Sequence, residues 1–262
     1  METALVERCL HDRAALAFRA ARDAGLPGIF HTFQTSGLLA TLASEPGVEF
    51  LNCVSGVSAE TVEGLAQVFE AWEALGLPLP SVTTTHFDTV VDEHLRHMGY
   101  VSAGRRPFAV IYLHHVPDIA RANINPDFDV REALSADDRR TFFEILSAGY
   151  ESPTPLRNFM SAEHSVAEVR RFIGYRAGRP VAAGAMSSHQ NVMVLGGAAV
   201  LRPARGQGGQ RAMLQHRVRA AKAAGCDAVI ATAAARSPSL RNLEEAGFEI
   251  RLRQAWLSTA SP

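Results

Sequence analysis

Lysine is almost missing from this chain: Lys222 is the only one in 262 residues. No Gly-Lys-Ser/Thr can therefore be found, which removes the P-loop that cradles nucleotide phosphates. Cysteine is scarce too, with Cys9, Cys53 and Cys226 odd in number and far apart. Such a set fits neither a disulfide framework nor a Cys/His zinc site, so no metal is expected and the thiols read as reduced core residues of a cytoplasmic protein. No apolar run reaches about 18 residues, so no membrane helix is expected. The opening residues mix acids into an amphipathic pattern, which is not how a signal peptide reads. Charge of either sign is in balance: 26 basic against 27 acidic residues, net −1. That balance argues against nucleic acid or an anionic membrane as the main partner. With 47% hydrophobic and only 20% charged residues, the chain has material for a full core and does not read as disordered.

What is present is organised around residues 194–224. Val194 to Leu201 is apolar and small, the pattern of a buried strand. Arg205-Gly206-Gln207-Gly208-Gly209-Gln210 follows, and then an amphipathic segment with Met213, Leu214, Val218 and Ala221 on one helical face. Strand, glycine turn and helix start together make an anion site: glycines let the backbone approach a ligand, and the first helical N–H groups have no internal partner. The dinucleotide fingerprint is excluded, because Gly206-x-Gly208-x-x is followed by Arg211 where a third glycine is needed.

Around this stretch the pattern predicts helix over 2–25, strands over 29–35, 37–42 and 48–54, and a helix from Ser58 to Leu75. A strand over 80–85, a helix over 86–98 and a strand over 109–113 follow. Residues 116–130, with Pro117 and Pro126, read as a linker. Ser135 to Asp138 caps a helix that runs to Ala148, and the Ser-Pro-Thr-Pro of 152–155 breaks it. A short helix over 165–172 then runs into a strand near 173–176. A turn at 177–180 leads to a strand over 181–186. After the central stretch come a strand over 226–232, a helix over 237–246 and a last strand over 249–258. The two halves repeat one order: Gly225 follows Gly76 by 149 residues, and Gly247 follows Gly99 by 148. Such self-similarity predicts duplicated domains. They differ at the decisive turn, where the first half has Ser55-Gly56-Val57-Ser58, with one glycine and no arginine.

The loop after the central strand resembles the coenzyme A loop of the GNAT acetyltransferase superfamily, whose pattern is Gln/Arg-x-x-Gly-x-Gly/Ala. Arg205, Gly208 and Gly209 fit, and Gln210 replaces the final small residue. Val200 stands where the family's strand valine does, while Arg202 stands at its proline and Pro203 follows. The helix ending Ala246-Gly247-Phe248 resembles the family's second signature. The resemblance implies an α/β (α+β) fold of two tandem GNAT-like domains, each a twisted mixed sheet flanked by helices. Residues 1–118 would be a degenerate copy that walls the acceptor pocket, and 119–262 the domain that binds an acyl-thioester. The implied donor is acetyl-CoA or another acyl-CoA, with the acyl group passing to an amine of a small molecule or protein. Its pantetheine would pair along Ala198, Ala199 and Val200, whose neighbouring N–H groups would hold the oxyanion. Arg205, Gly206, Gln207, Gly208, Gly209 and Gln210 would surround the pyrophosphate, with Asn242 and Arg241 nearby.

The chain also departs from the family. Residues 192–201 hold no glutamate, and Leu243 stands where many members have a tyrosine. His189, Glu163 and His164 are the candidate bases, and Ser239 the one hydroxyl on its helix near the expected thiol. Two alternatives stay open: a donor thioester carried by an acyl-carrier protein, and a non-catalytic acyl-CoA-binding module.

Overall fold

A computed structural model describes residues 3–84, 88–114 and 127–259. The chain forms two compact units, Met1–Arg106 with Leu252–Pro262 and Pro107–Arg251.

In the first unit, α1 (Thr3–Asp23) precedes the hairpin β1 (Phe30–Thr35) and β2 (Leu38–Ala43). Then come β3 (Cys53–Val57), α2 (Leu65–Glu73), β4 (Ser81–Thr84), α3 (Thr89–His97) and the first half of β5 (Tyr100–Tyr112). In the second unit, β6 (Phe128–Glu132), α4 (Ala136–Tyr150), α5 (Thr154–Glu163), β7 (Arg170–Arg176), β8 (Arg179–His189) and β9 (Val192–Val200) lead to α6 (Gly209–Ala223), β10 (Ala228–Thr232) and α7 (Pro238–Glu245). The last strand, β11 (Glu249–Ser258), starts in this unit and ends in the first.

Strand order is β1-β2-β3-β4-β11 in the first unit and β5-β10-β9-β8-β7-β6 in the second. In each, the strand before the turn runs parallel to the strand after the next helix: β3 with β4, and β9 with β10. This is the repeated order expected from the sequence. The last strand of each repeat is exchanged. Phe108–Tyr112 of β5 pairs antiparallel with β10, and Gln254–Trp256 of β11 pairs antiparallel with β4. Each unit has its own core. Leu38, Val54, Leu65, Trp72, Leu95 and Trp256 cluster in the first. Met186, Met193, Leu214, Val218, Val229 and Phe248 cluster in the second. On α6 the expected face, Met213, Leu214, Val218 and Ala221, is buried.

Local chemistry explains where the elements depart from the sequence pattern. The strand expected over 48–54 starts later, because Glu49–Leu51 forms a 3-10 turn. Asn52, buried at 6% exposure, grips Ala43 from both sides: its side-chain oxygen accepts the Ala43 N–H at 2.6 Å and its amide donates to the Ala43 carbonyl at 3.0 Å. The helix expected from Ser58 starts at Leu65. Thr61 instead holds a turn, accepting the Ser58 N–H and donating to the Gly56 carbonyl, both at 2.9 Å. At 151–155 the left-handed Glu151 (φ 52) ends α4, but the prolines begin α5 rather than leaving a loop. A proline in the first helical turn removes an N–H that has no partner there. The helix expected over 165–172 is absent, and its last residues belong to β7. The expected start of α4 is correct in detail: Ser135 Oγ accepts the Asp138 N–H and Asp138 Oδ2 accepts the Ser135 N–H, both at 3.0 Å. Such a cap contributes about 1 kcal/mol. Of the expected linker, 116–126 lies outside the described residues, as do residue 85 of the expected strand and residues 86 and 87 of the helix after it. Residues 128–130 belong to β6, paired with β7.

Candidate active site

The site of the second unit follows from where two parallel strands stop pairing. β9 and β10 are in register from Val192↔Ala228 to Leu195↔Ala231 and no further. Beyond Leu195, β9 bulges: against β8, Gly196 pairs with Ala185 but Ala199 pairs with Ala183, so an extra residue lies between them. Bulges redirect a strand and leave backbone groups outside the ladder. Gly197 makes this bulge possible. Its φ is +51°, and a Cβ there would stand 2.2 Å from His164 Nε2. His164 is held from behind, with Nδ1 2.7 Å from the Met160 carbonyl and its ring against Phe142.

The parting strands leave a cavity of about 170 Å³. Gly196, Gly197 and Ala198 form one wall, Gln210, Leu214 and Arg217 of α6 another, and Ser239, Asn242 and Leu243 of α7 a third. Tyr150, the last residue of α4, completes it. The Ala198 N–H donates to the Tyr150 hydroxyl at 3.3 Å. Accepting this bond leaves the phenol its own proton to donate. Tyr150 is half exposed as a residue, so the desolvation that pushes its pKa up acts at the hydroxyl end alone and is screened by solvent; the Ala198 N–H and the Arg217 charge oppose it.

Arg217 is 2% exposed. It donates to the Ala185 carbonyl at 3.1 Å and the Met213 carbonyl at 3.4 Å, and desolvation pulls its pKa down to about 10. Gly184 makes room for it, since a Cβ there would lie 3.1 Å from Arg217 Nε and 2.8 Å from Met213 Cγ. A cation in so dry a place, with two neutral carbonyls for partners, puts positive potential on the cavity.

The loop before α6 is exposed from Arg205 to Gly208. Gly208, at φ 88, is the cap of α6, where no side chain accepts the first N–H groups and no acid stands in the first turn. This is a helix start that can receive a phosphate. Gly209 packs against Phe128, whose ring would be 2.9 Å from an added Cβ. Arg205 folds back on the backbone, donating from Nε to the Val200 carbonyl at 3.0 Å and from Nη2 to the Gly149 carbonyl at 3.3 Å. Gln207 likewise donates to the Pro203 carbonyl at 3.0 Å.

Of the residues singled out in the sequence, Ala198, Gln210, Ser239 and Asn242 thus share one cavity wall system. Ala199 and Val200 continue β9 beyond the bulge, paired with Ala183 and Ala182. Arg205, Gly206, Gln207, Gly208 and Gly209 form the approach to α6. His189 lies at the opposite end of β9, paired with Val192 and with Nε2 2.8 Å from Ser187 Oγ. Glu163 and His164 contact each other at 3.6 Å behind the bulge. Arg241 is exposed on α7. Sequence reasoning missed Tyr150 and Arg217. Arg217 left a readable trace, an arginine four residues after Met213 on the apolar face of α6. Tyr150 left none, because only the fold brings the end of α4 to β9.

Residues 131–248 match the profile of the Acetyltransferase (GNAT) family. No curated protein matches the sequence. Among solved structures, a GCN5-related N-acetyltransferase from Kribbella flavida superposes with a TM-score of 0.62 at 19% identity, covering 94% of this chain and 96% of its own. Another from Sphaerobacter thermophilus gives 0.62 at 16% identity, covering 93% and 90%. A tandem GNAT protein from the clavulanic acid biosynthesis pathway gives 0.60 at 13% identity, covering 94% and 88%. Among the described residues, no helix is long and apolar enough to cross a membrane. The family profile thus falls on the unit with the parted strands, where residues 131–248 form a GNAT acetyltransferase domain, and along nearly its whole length the chain shares the fold of these GNAT structures.

Proposed function

We propose that the second unit transfers an acyl group from a coenzyme A thioester to an amine of a small molecule. The observation that carries this reading is the Ala198 N–H, freed from the strand ladder by the bulge and held by the hydroxyl of Tyr150, a residue of the cavity wall. A coenzyme A thioester supplies an activated carbonyl and a readily departing thiolate. The residues fit such a donor: a helix start without a capping side chain for the pyrophosphate, and an unpaired stretch of β9 for the pantetheine. The Ala198 N–H takes the place of oxyanion donor, and Arg217 adds positive potential where negative charge develops. Tyr150 donates its proton toward the departing sulfur. It supplies the phenol that Leu243 lacks, from a different helix. Ser239 and Asn242 orient the donor from α7. Gln210 does so from α6.

The sign of the pH effect follows from the raised Tyr150 pKa. Donation is fully present below the ordinary phenol value of about 10 and is lost as pH rises beyond it. The test is Tyr150→Phe, assayed by thiol release from acetyl-CoA across a panel of small amines. Turnover should fall about 10²-fold, the low end for general acid catalysis because a thiolate leaves readily, with donor affinity unchanged. Unchanged turnover would remove Tyr150 from the chemistry. Absence of transfer to every amine, with coenzyme A still bound, would leave a binding module.

A further inference from the structure

Arg217 is a buried cation that no anion balances. Its Nε donates to the Met213 carbonyl and its Nη1 to the Ala185 carbonyl. Both acceptors are neutral. Among the described residues, Tyr150 is the one ionisable group whose charge reaches the guanidinium, and desolvation to a pKa of about 10 leaves it charged at neutral pH. Nη2 takes part in neither bond, and it is not one of the unpartnered polar atoms that the chain seals away from solvent. The residue lines the cavity and is otherwise covered, so the access that Nη2 keeps is to the cavity. Two neutral carbonyls do not return the full cost of desolvating a charge. No acid lines the cavity either; its other polar side chains are Tyr150, Gln210, Thr232, Ser239 and Asn242. Such a charge is balanced when a ligand brings the anion.

Position says which part of the ligand brings it. Ala185 pairs with Gly196, the first residue of β9 beyond its ladder with β10. Arg217 is therefore level with the parting of the strands. Gly209 opens α6 and Arg217 follows by 217 − 209 = 8 residues, about 12 Å along the helix at 1.5 Å per residue. On the donor reading above, the pyrophosphate lies at the α6 cap and the acyl end lies at the parting, which is the level of Arg217. A guanidinium also repels the ammonium form in which an amine arrives, which argues against the acceptor as occupant of this wall.

We propose that Arg217 receives a carboxylate at the far end of the acyl group, so that the preferred donor is the coenzyme A thioester of a short dicarboxylic acid. This rests on the donor reading above and names its acyl class. The guanidinium edge matches a carboxylate in shape and charge. In the transfer, the amine nitrogen bonds to the thioester carbonyl, the C–S bond breaks, and one amine proton ends on the coenzyme A sulfur. The product is an amide that ends in a carboxylate.

The experiment titrates donors matched in carbon count into the full chain by calorimetry: malonyl-CoA against propionyl-CoA, and succinyl-CoA against butyryl-CoA, with coenzyme A alone as reference. In at least one pair the carboxylated donor should bind about tenfold or more tightly, the contribution of a hydrogen bond between charged groups. In Arg217→Gln, which keeps an N–H donor and removes the charge, the two members of that pair should bind within about twofold of each other. Equal affinities within both pairs in the parent overturn the proposal and leave the donor reading standing, and this comparison decides even where the variant does not fold. A preference that persists undiminished in folded Arg217→Gln also overturns it. Absence of binding by coenzyme A and all four thioesters overturns it together with the donor reading.

Discussion

Replacing Gly197 by alanine puts the geometry of the bulge to a quantitative test. At φ +51° any residue with a Cβ is strained, by about 1–2 kcal/mol in the left-handed region. The new Cβ would also stand 2.2 Å from His164 Nε2. His164 has no room to withdraw, being 5% exposed, bonded to the Met160 carbonyl at 2.7 Å and packed on Phe142. Overpacking of this kind costs about 1–3 kcal/mol. The sum is roughly 2–5 kcal/mol, which lowers the unfolding midpoint by about 4–20 °C in a unit of this size. The assay is thermal unfolding by circular dichroism for Gly197→Ala, His164→Ala and the double variant. Removing the imidazole should relieve the clash, so the double variant should be more stable than the two single costs imply, by about 1–3 kcal/mol of coupling. A Gly197→Ala midpoint within a degree of the parent, or strict additivity in the cycle, would refute the close approach and the bulge built on it.

Three other perturbations have defined outcomes. Gly208→Val should weaken coenzyme A binding by more than tenfold with the fold intact, since a side chain at the helix cap would block charge-assisted hydrogen bonds worth about 1.5–3 kcal/mol each; unchanged affinity on titration would mean that the loop does not hold the pyrophosphate. A fragment starting at residue 119 should be insoluble or inactive, because it lacks the β5 residues 108–112 that pair with β10 and so exposes an unpaired strand edge; a soluble, active fragment on gel filtration would contradict this. His189→Ala should leave turnover and its pH profile as in the parent, because the ring lies at the end of β9 away from the cavity; a drop of 10²-fold or more would restore it as the base.

How much of this was legible in the sequence depended on whether the signal was local. The capping box at Ser135, the face of α6 and the glycine loop each need only neighbouring residues, and each was readable. The repeat of Gly76 and Gly99 in Gly225 and Gly247 carried the duplication. Pairing was not readable: nothing in 107–112 or 252–258 says that the two last strands are exchanged. Tyr150 was hidden for the same reason, as its partner Ala198 is 48 residues away. Pro153 and Pro155 misled because a proline that ends one helix can also begin the next. Asn52 misled because a buried amide can occupy a place in an apolar run when it satisfies a neighbouring strand.

The central claim, a coenzyme A thioester held between β9 and β10 of the second unit, is tested most directly by counting and locating bound donor. Acetyl-CoA labelled with ¹³C at the carbonyl is titrated into full-length protein whose alanine amides carry ¹⁵N. The account predicts one donor per chain, with the Ala198 amide among the resonances that shift most as its bond to Tyr150 is replaced by one to the labelled carbonyl. Saturation without any change at Ala198, or two equivalent donors per chain, would contradict it.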